Sequence, residues 1–173
     1  MCSFFKEEEI NMEIFTEELM LPLFEVLEAC KGVTQKAEWH PEGDVFVHSL
    51  QTLQWAFRES EDIDLIIAAM MHDVGKQVNS LGHEKGSVAL IKDHISAKTE
   101  WLILNHMRVW SFILGDMKKL SKVKEMAKHP WLGDALFLGR WGKLGRNSKK
   151  KVMYDRQYIL DRLNNIVIKR FNL

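Results

Sequence analysis

The chain has 173 residues, a length that fits one domain with a substantial core. Its 24 basic and 24 acidic residues cancel, so the overall basic surplus of a protein that coats DNA is absent, and no apolar run reaches the roughly 18 residues of a membrane span. Cys2 and Cys30 are too few for a disulfide framework, and the N-terminus MCSFFKEEEI is too acidic for a secretory signal, so the expectation is a reduced, cytoplasmic protein.

Met12 is a candidate alternative start, which makes residues 1–11 a tail or helix extension and 12–173 the domain. Residues 12–30 carry Ile14, Leu19, Leu23 and Leu27 at helical spacing, and Pro22 is expected to kink or split that helix. WHPEGD (Trp39–Asp44) reads as a turn, and Asp44 is placed to cap the helix VFVHSLQTLQWAF. A further helix is expected from residues 60–62 to Val74, followed by a loop over Gly75–Leu81. Helices over His83–His94 and Lys98–Val109 come next, then a basic amphipathic helix over 115–128 that ends at His129-Pro130. A short helix over Trp131–Trp141, a basic loop over Gly142–Lys151 and a last helix complete the chain. No alternating strand with hairpin turns is present, so the fold class is all-α, a bundle of about seven to nine helices.

The most informative stretch is IIAAMMHDVGK, Ile66–Lys76. An apolar helical run delivers His72 and Asp73 side by side, a nitrogen ligand beside an oxygen ligand, which suits a divalent ion. Lys76 falls on the His72 face if the helix continues that far, where it can neutralise a bound anion. Of the seven histidines, His48, His72, His83 and His106 fall on four successive helical segments, each of which can offer one imidazole to a common centre. The bland reading is strongest for the others. His94 and His129 fit helix ends or surface, His40 fits a turn stabiliser, and Asp44 fits a cap. The tryptophans fit core or pocket wall, with Trp110 and Trp141 the two candidates for stacking a base. The lysines of 118–128 and 149–151 fit solvated faces.

The order of these motifs resembles the HD-domain metal-dependent phosphohydrolases. WHPEGDVFVHSLQTL (39–53) is similar to the opening of HD domains fused to bacterial tRNA nucleotidyltransferases, and the likeness continues through AAMMHDVGK (68–76), GHEKGSVALI (82–91) and ILNHMRVW (103–110). The resemblance implies an all-α HD-type bundle. It implies His48, His72 and Asp73 as ligands of a first metal, His83 and His106 as those of a second, and Lys76 as a phosphate contact. It also implies a departure: the family's last ligand, an Asp, falls on Gly142, with Asp134, Asp116 and Asp155 as possible replacements.

The expected activity is therefore metal-dependent hydrolysis of a nucleotide or related phosphoester, mono- or diester, by metal-activated water attacking phosphorus. One or two divalent ions (Mn, Mg, Fe, Co, Ni or Zn) would serve, with Asp73 and Lys76 as catalytic groups and Lys76, Arg108, Arg140 and Arg146 binding the phosphate. Nucleic acid is possible but less favoured than a small nucleotide, and no membrane partner is expected. The alternative, motivated by Gly142, is a catalytically weakened module that binds a nucleotide or RNA.

Overall fold

The computed structural model describes residues 14–172, so the expected boundary at residue 12 lies outside the described residues. Eight α-helices follow one another: α1 (Glu17–Glu28), α2 (Val45–Glu59), α3 (Ile63–Met71), α4 (His83–Ile91), α5 (Ala97–Ile113), α6 (Leu120–Ala127), α7 (Leu132–Leu144) and α8 (Arg156–Phe171). Two short 3-10 turns, Val74–Gln77 and Lys92–His94, join α3 to α4 and close α4. Among the described residues there is no strand, only an isolated bridge between Thr34 and Asp44. The bundle is all-α.

Local chemistry sets most of the helix starts. Thr16, Asp44, Asp62, Ser96 and Asp155 each accept a backbone N–H of the first turn and begin α1, α2, α3, α5 and α8. The core follows from α3. Every residue from Leu65 to Met71 is buried, so this helix is apolar all round and must be surrounded. It packs between α2 and α5, and α7 closes the ring by packing on both of those helices. The buried Ile and Met side chains of α3 each contribute roughly 1.5–3 kcal/mol of transfer free energy. That ring brings the C-terminal end of α3, where His72 and Asp73 sit, against α2, α5 and α7.

Several expected boundaries move. Pro22 lies inside α1 without splitting it, because Met20, Leu23, Phe24 and Leu27 of the same helix are all buried and hold both halves on one surface. The helix expected to reach Val74 stops at Met71, with His72 as its C-cap, and the chain tightens into the 3-10 turn. Gly75 explains that change. A Cβ there would lie 2.1 Å from the His83 carbonyl oxygen and 2.3 Å from the Ser87 nitrogen, so only glycine permits this crossing over α4. The basic helix is shorter than expected, Leu120–Ala127, since residues 115–119 form a loop that begins at left-handed Gly115. α7 runs on to Leu144, so Gly142 lies within a helix rather than a loop.

Candidate metal centre

Asp73 is the hub. It is buried at the junction of α3 and the 3-10 turn, and its two oxygens face two pairs of imidazoles. Oδ2 lies 3.5 Å from His48 Nε2 and 3.5 Å from His72 Nε2. Oδ1 lies 3.0 Å from His83 Nε2 and 3.6 Å from His106 Nε2, and these two nitrogens are 3.1 Å apart. α2 supplies His48, the end of α3 His72, the start of α4 His83 and α5 His106, all of them buried. The four predicted imidazoles and the predicted carboxylate are therefore brought together. Ser87 fixes the two halves relative to each other: its hydroxyl donates to the His72 carbonyl at 2.9 Å and accepts the Gly75 N–H at 2.8 Å.

Each ring has its Nδ1 against an acceptor. His72 donates to Ala69 O (3.1 Å), His83 to Ser80 O (3.0 Å) and His106 to Ile103 O (2.6 Å). His48 Nδ1 faces Glu42 Oε1 at 2.7 Å and Gly145 O at 3.2 Å. With Nδ1 as donor, Nε2 of a neutral ring is a lone pair. Four Nε2 atoms converge on one carboxylate, and their lone pairs would repel it and one another unless positive charge, a proton or a cation, sat among them. Burial drives the His72 imidazole well below its ordinary range, against the pull of Asp73, so it is neutral and ligand-competent. At His83 burial also pushes downward, but the hydrogen bond and charge of Asp73 prevail and the ring is raised above 6.5. Burial opposes ionisation of Asp73, yet the surrounding imidazoles and Lys76 hold its carboxyl well below the usual range. The donor atoms form two sets, His48–His72–Asp73 and Asp73–His83–His106, each with all atoms within 4.8 Å of one another. Imidazole nitrogens with one carboxylate suit a divalent transition-metal ion, and the set fits one or two such ions.

Lys76 reaches the centre by a different route from the one expected. The helix does not continue to it; the 3-10 turn places it at i+3 from Asp73, where Nζ donates to Asp73 Oδ2 at 2.7 Å and to Gln35 Oε1 at 2.7 Å. A cavity of about 420 Å³ opens over the centre. Asp73 is the only carboxylate among its lining residues, while Lys36, Lys76 and Arg146 bring cations to it. Arg146 is carried there by the loop after α7, which the buried Gln51 clamps through Asn147 and Lys150. Met107, Trp110 and Leu138 form an apolar wall, with Trp39 also lining the cavity and more than half exposed.

Other expected groups stand elsewhere. Arg108 does not line the cavity; its Nη1 donates to Asn105 Oδ1 at 2.7 Å. Two residues beyond His106 on α5, it points about 200° away. Arg140 is related to Gly142 in the same way on α7, and it pairs with Glu59 on the outer surface. Trp141 is wholly buried and donates to Glu59 at 2.7 Å, so it is core rather than a stacking platform. Asp134 is committed to Lys98 at 2.7 Å and Asp155 caps α8, while Asp116 lies exposed outside the cavity lining; none replaces a ligand. Gly142 itself faces the centre: a Cβ built on it would meet only His72 Nε2, at 3.8 Å.

Sequence reasoning missed Glu42, whereas His40 bonds within the turn as expected, Nδ1 to Glu42 Oε1 and its carbonyl accepting from Gly43 N–H. Glu42 sits in a Pro/Gly turn, where a carboxylate is usually solvated, and nothing in its neighbours signals that the turn folds inward over His48. Its hydrogen-bonding partner His40, Nδ1 at 2.8 Å, and its close neighbour His48, Nδ1 at 2.7 Å, both lie at the cavity wall.

The model of the HD domain matches residues 45–130, a span that holds all five candidate ligands. The Multifunctional CCA protein of Acinetobacter baumannii, in strains AYE and SDF, is 41% identical over 54 residues, 31% of this chain. That match spans only 13% of the relatives' own length.

Proposed function

The chain belongs to the HD-domain family, and on that premise we propose that it is a metal-dependent phosphohydrolase acting on a nucleotide or a related phosphoester. The observation that carries this reading is the convergence of four Nε2 atoms on the two oxygens of Asp73, under a cavity to which Lys36, Lys76 and Arg146 bring positive charge. His48, His72 and Asp73 would hold one ion, and Asp73, His83 and His106 a second. A divalent ion held there would supply the Lewis acidity that makes water nucleophilic near neutral pH and draws charge from a phosphoryl group.

The chain's own residues do the rest. Lys76 offers a compact positive charge next to Asp73 and Arg146 a planar fork, the two ways proteins meet phosphate oxygens. Asp73 is held deprotonated with both oxygens engaged, so it anchors the centre and is a poor proton acceptor. The wall of Met107, Trp110 and Leu138 offers an apolar face to the organic part of the substrate, such as a nucleobase. The test is hydrolysis of a panel of nucleoside mono-, di- and cyclic phosphates with Mn²⁺, beside His72→Ala and Asp73→Ala. Metal-stimulated turnover that both variants lose is the expected result; equal turnover in both would refute it.

Gly142 favours a second reading, a module that binds a nucleotide or RNA and turns it over weakly or not at all. Among the cavity's lining residues Asp73 is the one carboxylate, and Lys76 already sits on it. Binding that weakens with salt and yields no product would support this reading.

A further inference from the structure

Glu42 is a buried carboxylate beside the centre that the chemistry above leaves unused. Its side chain is fully enclosed. Among the described residues no Lys or Arg pairs with it, and its Oε2 has no hydrogen-bond partner. Its Oε1 receives two imidazoles at once, His40 Nδ1 at 2.8 Å and His48 Nδ1 at 2.7 Å. Enclosing a carboxylate without a full countercharge is strongly disfavoured, so the position calls for a reason.

The turn alone does not supply one. Its backbone is closed by Gln35 N–H to Gly43 O, Gly43 N–H to His40 O and Val45 N–H to Val33 O, while Asp44 caps α2 and accepts from Gly32. The Glu42 charge is instead spent on the back of two rings. At His48 the Nδ1 hydrogen bond goes to the Gly145 carbonyl, at 3.2 Å, and Glu42 Oε1 lies closer, at 2.7 Å, where it adds a negative charge behind the same nitrogen.

We propose that Glu42 is a positioning residue for the metal centre: its carboxylate, steadied by His40, holds His48 as the Nδ1–H tautomer and makes His48 Nε2 a stronger ligand. A carboxylate behind a metal-bound imidazole orients the ring and raises its basicity. His72, His83 and His106 have only backbone carbonyls behind them, so His48 is singled out among the four. This inference rests on the metal-centre reading.

The experiment is Mn²⁺ titration calorimetry on the full chain and on Glu42→Gln and Glu42→Ala, each with a thermal melt, together with ¹H–¹⁵N spectra of the imidazoles. Mn²⁺ affinity is expected to fall about a hundredfold in Glu42→Ala and about tenfold in Glu42→Gln, which keeps an acceptor at Oε1. The His48 Nδ1 proton, which the Glu42 carboxylate 2.7 Å away should shift downfield, is expected to move upfield in both. Wild-type affinity in a Glu42→Gln protein that melts normally would overturn the proposal, even if Glu42→Ala failed to fold. If the wild type takes up no Mn²⁺, the metal reading fails, and the imidazole spectra still decide whether Glu42 holds His48.

Discussion

The two sides of Asp73 look alike in composition and differ in what stands behind them. On the His48–His72 side the shared oxygen is also held by Lys76, Gly142 leaves open space, and a buried carboxylate backs His48. On the His83–His106 side His83 Nε2 lies 3.0 Å from Asp73 Oδ1 and 3.1 Å from His106 Nε2, both rings have Nδ1 against a backbone carbonyl, and His83 is raised toward holding a proton. The lesson is that ligand identity does not fix ligand strength. In the proposed centre the first side would draw on charge placed behind His48, the second on the close approach of His83 to Asp73 and His106.

The bluntest way to break the comparison is to remove what both sides share. Asp73→Asn keeps the shape and deletes the charge; Mn²⁺-dependent hydrolysis should fall roughly a thousandfold, about 4 kcal/mol of transition-state stabilisation, measured as kcat/KM. Next comes Gly75→Ala, which forces a methyl into the α4 backbone. Neither contact belongs to a side chain that can swing away, so a loss on the order of 1–3 kcal/mol is expected in chemical denaturation. Mn²⁺ bound on the His83–His106 side should be lost before that on the His48–His72 side, because α4 carries His83.

Acidity sharpens the comparison more gently. Burial pushes the Glu42 carboxyl up, but the bonds from His40 and His48 prevail and hold it at about 2, against 4.5 unperturbed. Its contribution to stability is therefore present above pH 4.5 and lost as pH falls toward 2. The His83 ring is raised above 6.5, so its contribution is full below pH 6.5 and is lost as pH rises through the folded value. Melts of the metal-free protein across pH should show both limbs, with Glu42→Gln removing the acid one. Metal uptake on the second side must expel the His83 proton. Mn²⁺ calorimetry near pH 6.5, in buffers of different ionisation heat, should count that proton in the wild type and not in His83→Gln.

That these side chains gather at one place was legible in the sequence because they lie on successive apolar helices, and helical spacing is written in residue order. His48, His72, His83 and His106 could be listed before any coordinates. So could the Asp44 cap, and the all-α class followed from the absence of alternating strands. What lay outside the pattern depended on tertiary crossings. Gly75 stops α3 early because of a backbone that arrives from α4. The phosphate-side roles assigned to Arg108 and Arg140 ignored the two-residue rotation that turns them away from His106 and Gly142. Glu42 is an acid in a turn, and only the folding of that turn onto α2 makes it a buried partner of His48.

The most direct test of the central claim is elemental analysis of untagged protein equilibrated with Mn²⁺, beside His72→Ala and Asp73→Ala. One or two equivalents in the wild type, fewer in His72→Ala and none in Asp73→Ala is the predicted result. No metal in the wild type, even with excess Mn²⁺, would contradict it.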